Sequence, residues 1–360
     1  MSNPNIEPML CSTGLSTILT DKSEGIFPNF WIAQEKLDGH RAIMVSKNNE
    51  NWFYSRRNSV VTGEKEDNTD KLPYLRRINF NDIIGVDDCI FDGELTVLGE
   101  SSDSSKVQHI LGSTPERAFE LWEQGFQLCY NIFDVIKWNG QWQVNLPLID
   151  RLRFLEIVKR KLDELPVYLN IRVVDSYGHK ELIEYYNSSI KECDDFEQLL
   201  ESVYERGGEG IVLKDALAKY EFKRSKYWQK FKKINTADLV IMGFVKPERE
   251  YTGKFSKDEL KILGWKYWEN DEPVSKTYYN KWVAGIKLGA YKDGELKYVT
   301  TVKGFSDEVQ RMILNTDLYN VPVEIEYQSI IDKEKKSLRH PRFKAFRFDK
   351  RNEDCLWENV

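Results

Sequence analysis

The sequence predicts an α+β chain in two parts, a larger one over residues 1–235 and a smaller one over 236–360. Three observations predict it. Short apolar runs bounded by Gly, Asn, Asp and Pro outnumber the stretches with helical periodicity. After Asn235 the pattern changes to a series of short strands. A length of 360 residues also suffices for two separate cores.

In the first part, Phe30-Trp31-Ile32-Ala33 and Ala42-Ile43-Met44-Val45 read as strands, with Asp38-Gly39 between them as a turn signal. Lys36 therefore falls at a strand end. The polar stretch Val61 to Asp70 reads as a mobile loop. From Ile90 to Val97, alternation puts Phe91, Leu95 and Val97 on one side and Asp92 and Glu94 on the other. Thr114-Pro115-Glu116 opens a helix with a cap, a proline at its first position and an early acid, and Gly125 closes it. Leu148 to Leu162 is a second helix. Asp195 to Arg206 is a third, with Phe196, Leu199, Leu200 and Val203 as its apolar stripe. Gly207-Gly208 stops it just before Glu209.

In the second part, short strands are read at Leu239 to Met242, Trp282 to Leu288, Gly289 to Tyr291, Tyr298 to Val302 and Val323 to Tyr327. Lys292-Asp293-Gly294 is a hairpin turn and Ser306 to Leu314 a helix. The set fits a small β-barrel of the OB type. Residues 246–282 interrupt it as a long insertion with eight Lys or Arg and eight aromatic residues. Loops of that length are functional or disordered.

No apolar stretch approaches membrane-spanning length, and Met1 to Pro8 is polar without a signal-peptide pattern. The five cysteines are scattered and form no CxxC pair, which indicates neither a disulfide framework nor a zinc module. A cytoplasmic protein is expected, in the host-cell cytoplasm if the source is viral. The net charge of −6 is not the global footprint of a nucleic-acid binder. The distribution answers this in part. Residues 335–351 hold eight Lys or Arg against one acid, Asp349, and residues 223–233 hold Lys223, Arg224, Lys226, Lys230, Lys232 and Lys233 with no acid. Both runs interleave with aromatics (Trp228, Phe231, Phe343, Phe346, Phe348), the pattern of basic groups mounted on a packed sheet.

Six short motifs occur in order: Lys36-Leu37-Asp38-Gly39-His40-Arg41; Asp92-Gly93-Glu94-Leu95; Phe133-Asp134-Val135; Glu209-Gly210-Ile211-Val212-Leu213-Lys214; Lys230-Phe231-Lys232; and Arg347-Phe348-Asp349-Lys350. The first fits the pattern KxDGxR and the last fits RxDK. Together they resemble the motifs of the covalent nucleotidyltransferases, the superfamily of ATP-dependent DNA ligases, RNA ligases and mRNA capping enzymes. The resemblance covers residues 8 to 352. One KxDG alone is weak evidence; six motifs in order are strong. The RxDK ending and the preceding Arg339-His340-Pro341-Arg342-Phe343 match the DNA enzymes.

The resemblance implies a nucleotidyltransferase (adenylation) domain of antiparallel sheets with flanking helices, followed by the OB-fold β-barrel domain. It implies an ATP-dependent DNA ligase of the minimal two-domain viral or bacterial type, sealing 5′-phosphate/3′-hydroxyl nicks in duplex DNA. ATP and Mg²⁺ are the implied cofactors, with Mn²⁺ as a substitute. Nicked duplex DNA is the partner, a monomer the expected state, and DNA repair, replication and recombination the expected settings. An RNA ligase, a capping nucleotidyltransferase and a non-catalytic OB-type nucleic-acid-binding protein remain alternatives.

By the same resemblance Lys36 is the nucleophile that takes AMP. A free lysine, with a pKa of about 10.4, is protonated at pH 7 and cannot attack. Lys230 and Lys232, two apart on a strand, face one way and can disfavour a charged neighbour while neutralising the α-phosphate. Glu94 and Glu209 are the metal candidates, since Mg²⁺ takes one or two carboxylates plus phosphate oxygens. The resemblance also offers Glu94 as the group that holds the ribose hydroxyls, with Glu209 the firmer metal ligand. Phe133 is placed to stack on adenine, Gln34 to contact its amino group, and Arg41 to touch the nucleotide. Arg56 matches the arginine that binds the 5′-phosphate of the nick, with Arg57 as its neighbour. Arg339 and Arg342 belong to the basic run expected on DNA. Arg347, Asp349 and Lys350 are assigned to the first, self-adenylylating step, and the 246–282 insertion to a clamp around the duplex.

Overall fold

Met1–Lys232 and Lys233–Val360 form two compact units. The structure, a computed structural model, describes residues 3–13, 30–59, 62–98, 104–166, 169–188, 190–232, 234–332 and 334–360. Val61 and Lys233, named above, lie outside those residues.

Two sheets build the first unit. One has six strands in the order Leu10–Thr13, Arg224–Lys232, Gly210–Asp215, Trp31–Glu35, Ser176–Gly178, Lys191–Glu192. The other centres on His40–Lys47, Cys89–Val97 and Leu128–Trp138, with Glu50–Asn58 and Lys65–Asp67 toward one edge. Its middle strands read as continuous apolar runs because both faces are covered, and Ala42 through Val45 are all buried. The helix Leu148–Asp163 packs Leu148, Leu152, Leu155 and Val158 into the main core at the spacing of one helical face. Thr114 caps the helix Pro115–Glu123 by accepting from the Arg117 amide, and Asp195 caps Phe196–Glu205 the same way through Gln198.

Two expectations need correction here. Asp38-Gly39 does not make a hairpin, because Trp31–Glu35 and His40–Lys47 belong to different sheets. The segment between them is a crossover. Gly39 is required there because a Cβ would lie 2.0 Å from the Leu95 carbonyl oxygen. The stretch read as a mobile loop before Asp70 is ordered from Thr62 onward: Lys65–Asp67 pairs with Glu50–Asn58. The buried Lys65 ammonium donates to Glu7 and to the Arg56 carbonyl, and the Phe53 amide donates to Thr69. Polar composition had concealed a lysine whose head is satisfied inside.

The second unit has a five-stranded antiparallel sheet, in the order Glu295–Val302, Gly285–Lys292, Asn235–Val245, Pro322–Tyr327, Arg342–Phe346. Register shifts at Ile241/Gly243, Leu288/Gly289 and Glu324/Ile325 bend it, as a small OB-type sheet requires. Leu239, Ile241, Ile286, Leu288, Val323 and Ile325 alternate along their strands into one core. Asp293 and Gly294, at φ 53° and 81°, make the expected hairpin turn. Trp282 lies outside the strand that was expected to begin with it. Its amide instead bonds the Thr277 carbonyl, and the strand starts at Gly285.

The 246–282 insertion is ordered. It contains the helix Lys257–Ile262 with a Ser256/Glu259 capping box, the hairpin Trp268–Glu269/Glu272–Pro273, and the short helix Lys276–Tyr279. Tyr251, Trp265, Tyr267 and Tyr279 meet in series, edge to face or tilted, at centroid separations of 5.0–5.4 Å. Its eight cations stand beside seven acids (Glu248, Glu250, Asp258, Glu259, Glu269, Asp271, Glu272), so its net charge is small. Arg249 and Lys257 are paired with Glu269 and Glu272. It therefore offers aromatic surface more than net positive charge.

Candidate active site

Three neighbouring strands bring three of the six motifs together. Trp31–Glu35 pairs with Gly210–Asp215, which pairs with Arg224–Lys232, all antiparallel. Gln34, Val212 and Lys230 are thus successive cross-strand partners in one row, and Lys232 stands opposite Gly210. The Lys36 amide extends the ladder by donating to the Gly210 carbonyl at 2.8 Å. Gly210 has φ 148°, and a Cβ there would lie 2.0 Å from the Phe231 carbonyl oxygen. Close backbone approach at that point sets Glu209 beside Lys36 and Lys232.

The consequence is an ion-pair bridge. The Glu209 carboxylate accepts from the Lys36 ammonium through one oxygen and from Lys232 at 2.8 Å through the other. Lys230 and Lys232 were expected beside Lys36, and the structure adds that the direct partner of its amine is the Glu209 carboxylate. Lys230 makes no such pair in the bridge. Burial first, then Lys232, lowers its pKa.

The second sheet supplies the facing groups. Arg41 stands opposite Glu94 in the register. Arg41 does not present a free guanidinium: it forks onto Asp92 at 2.5 and 2.6 Å, and Asp92 also accepts from Tyr220 at 2.5 Å. Asp92 is fully buried. Alternation places it correctly on the face of Glu94, with Phe91, Leu95 and Val97 in the main core behind; the Arg41 that stands opposite Glu94 reaches Asp92 diagonally. Its charge is consumed in holding Arg41 over the Phe133 ring, 4.5 Å from the centroid. Burial pushes the Glu94 carboxyl up to about 7.

Gln34 and Phe133 lie side by side in the structure. The Gln34 amide nitrogen donates to Ser176 Oγ at 2.9 Å and to the Phe133 carbonyl at 3.3 Å. Its amide oxygen is buried without a partner. An orphaned acceptor of this kind is costly unless a ligand donor meets it. The exocyclic amine of adenine is such a donor.

Lys214 was overlooked. It is buried, lies 4.4 Å from the Phe133 centroid and 3.9 Å from that of Trp228, and burial lowers its pKa to about 8. The signal was available: Gly210, Val212 and Lys214 share one strand face at period two.

These groups line a cleft of about 320 Å³, with eight Lys or Arg around it against two acids, Glu35 and Glu94. Arg56 and Arg57 are exposed at its edge. A polyanion is the ligand such a cleft selects, despite the acidic chain as a whole. Carboxylate oxygens at Glu209 have the hardness Mg²⁺ requires, although two ammonium groups already compete for them.

Asp134 anchors the Phe133 segment. It forms a fully buried two-point pair with Arg151 at 2.8 Å, and Arg151 also donates to the Leu146 and Ala218 carbonyls. Asp134→Ala strands a buried guanidinium and is expected to destabilise the first unit by about 3–5 kcal/mol, measured by urea unfolding. Arg151→Met in the same chain should recover most of the loss. A single variant as stable as wild type contradicts this account.

The second unit carries the remaining candidates. Arg347 forks onto Asp349 at 3.0 and 2.9 Å and reaches Asp238 at 3.2 Å; Lys350 donates to Asp238 at 2.6 Å. Arg339 ends the strand Ser337–Arg339, and Arg342 is exposed at the start of Arg342–Phe346.

Comparison with known proteins agrees with this geometry. The family model described as the ATP dependent DNA ligase domain matches residues 8–232, and the chain belongs to that family. It is 26% identical over 325 residues to the DNA ligase of Monkeypox virus, across 88% of this chain and 49% of that protein. It is 27% identical to DNA ligase 2 of Methanosarcina acetivorans, across 58% and 34% respectively. The chain thus spans about half the length of the poxvirus proteins it matches. Among solved structures it shares the fold of a Lig E DNA ligase, with a TM-score of 0.56, 15% identity and coverage of 95% of this chain and 100% of that one. No helix among the described residues is long and apolar enough to cross a membrane.

Proposed function

We propose that the chain is an ATP-dependent DNA ligase that seals 5′-phosphate/3′-hydroxyl nicks in duplex DNA. The observation that carries the reading is the three-strand alignment of Lys36, Glu209, Lys230 and Lys232 in a cationic cleft whose buried Gln34 acceptor is unpartnered. The Lys36 amine, once deprotonated, attacks the α-phosphorus of ATP; a P–N bond forms, and the P–O bond to pyrophosphate breaks with its electron pair on the leaving group. AMP then passes to the 5′-phosphate of the nick, returning the lysine. Attack by the 3′-hydroxyl expels AMP and joins the strand. Each step is a displacement at phosphorus governed by positioning and charge neutralisation.

Lys230 and Lys232 neutralise the α-phosphate, Gln34 and Phe133 bind adenine, Arg41 supports Phe133, and Glu94 takes the ribose hydroxyls. Glu209 is the residue that would hold Mg²⁺, which when bound supplies further neutralisation of phosphate charge. Arg56 binds the 5′-phosphate, Arg339 and Arg342 meet the duplex backbone, and the 246–282 insertion supplies aromatic contact surface to it. Arg347, Asp349 and Lys350 act in the first step.

Incubation with labelled ATP, GTP or NAD, followed by a chase with nicked DNA or nicked RNA, tests the reading. Covalent label is expected from ATP alone, discharged with strand joining on nicked DNA. Discharge on RNA only would replace it with an RNA ligase; no label from any nucleotide would favour a binding protein.

A further inference from the structure

Asp238 belongs to none of the six motifs, yet it holds both cations of the last one. It lies on Asn235–Val245 directly opposite Glu324 of Pro322–Tyr327. Two carboxylates facing each other across adjacent strands repel, so this pairing persists only where cations compensate it. Three do. Lys350 donates to Asp238 at 2.6 Å, Lys344 pairs with Glu324 at 2.8 Å, and Arg347 stands 3.2 Å from Asp238 and 4.0 Å from Glu324.

The two counter-ions of Arg347 differ in kind. Asp349 is two-thirds exposed and can swing into water, whereas the Asp238 side chain is 18% exposed and fixed on a central strand. Arg347 is further located by its own amide, which donates to the Pro322 carbonyl at 2.8 Å, and Lys350 by its amide on the Arg347 carbonyl. Among the described residues, Asp238 is therefore the strand-held group that bonds both side chains and fixes the angle between them. An orienting carboxylate behind a working cation makes its placement independent of the ligand, so less reorganisation is needed when phosphate arrives.

We propose that Asp238 is a positioning residue for the polyphosphate-handling step, holding Arg347 and Lys350 as one constellation. This rests on the reading that those two cations act in self-adenylylation. The test measures lysyl-adenylate formation against ATP concentration in Asp238→Asn, Asp238→Glu and Arg347→Ala, beside sealing of a nick already bearing 5′-AMP. Asp238→Asn is expected to lose about 10–100-fold in maximal adenylylation rate, as orienting partners do. Sealing of the adenylylated nick should stay within twofold of wild type, and Asp238→Glu should restore part of the rate. Wild-type adenylylation by Asp238→Asn while Arg347→Ala fails would overturn the inference and spare the reading beneath it. Equal loss of both steps would also overturn it, marking Asp238 as structural. Normal adenylylation by Arg347→Ala would remove the reading itself.

Discussion

Lys36→Ala is expected to eliminate covalent labelling by ATP while the protein keeps its fold. The side chain is one-fifth exposed and its ion-pair partner, Glu209, retains Lys232 when the amine is removed. No buried charge is left uncompensated, so the stability change should stay within about 1 kcal/mol. Lys36→Arg separates the two roles of the residue. A guanidinium keeps the charge opposite Glu209 but cannot give up a proton near neutral pH, so it cannot attack phosphorus. Both variants should unfold at nearly the wild-type urea midpoint, and both should be blank on an autoradiogram. Label surviving on Lys230 or Lys232, which share the cleft, would move the nucleophile elsewhere.

The candidate site was legible through the resemblance: Lys36, Lys230 and Lys232 stood out because six motifs follow in order, whereas a single lysine at a strand end is ordinarily a surface residue. The helix start at Thr114 followed from capping rules. What the sequence did not carry was partnership across strands. The Glu209 bridge depends on which strands are neighbours, and that is settled by pairing over 170 residues of separation rather than by any local preference. Asp92 shows the same limit: period two put it on the face of Glu94, but only the fold reveals Arg41 and Tyr220 waiting for its charge. Asp238 offered no signal at all, since its meaning arises from Arg347 and Lys350 more than a hundred positions later. The ordered stretch around Lys65 shows the opposite failure, in which composition suggested a solvated loop and a buried lysine held it down.

The two ends of the reaction should come apart in variants of the two units. Arg347 and Lys350 lie in the second unit, whereas Arg56 lines the cleft of the first. Pyrophosphate carries most of the developing charge in the first step, so cations that meet the β- and γ-phosphates matter there and have nothing to neutralise once AMP is attached. Arg347→Ala should lose about 10²–10³-fold in self-adenylylation, the usual loss when one such donor is removed. Lys350→Ala should fall in the same step. Each should still seal a nick supplied with AMP on its 5′-phosphate. Arg56→Ala should do the reverse, with labelling retained and transfer to the nick impaired. If Arg56 meets one phosphate, the salt dependence of nick binding should become shallower by about one unit of slope in that variant, and should not change in Arg347→Ala. Failure of the Arg347 and Arg56 variants at the same step would end this division of labour, because a cation serving pyrophosphate and a cation serving the nick cannot share a defect.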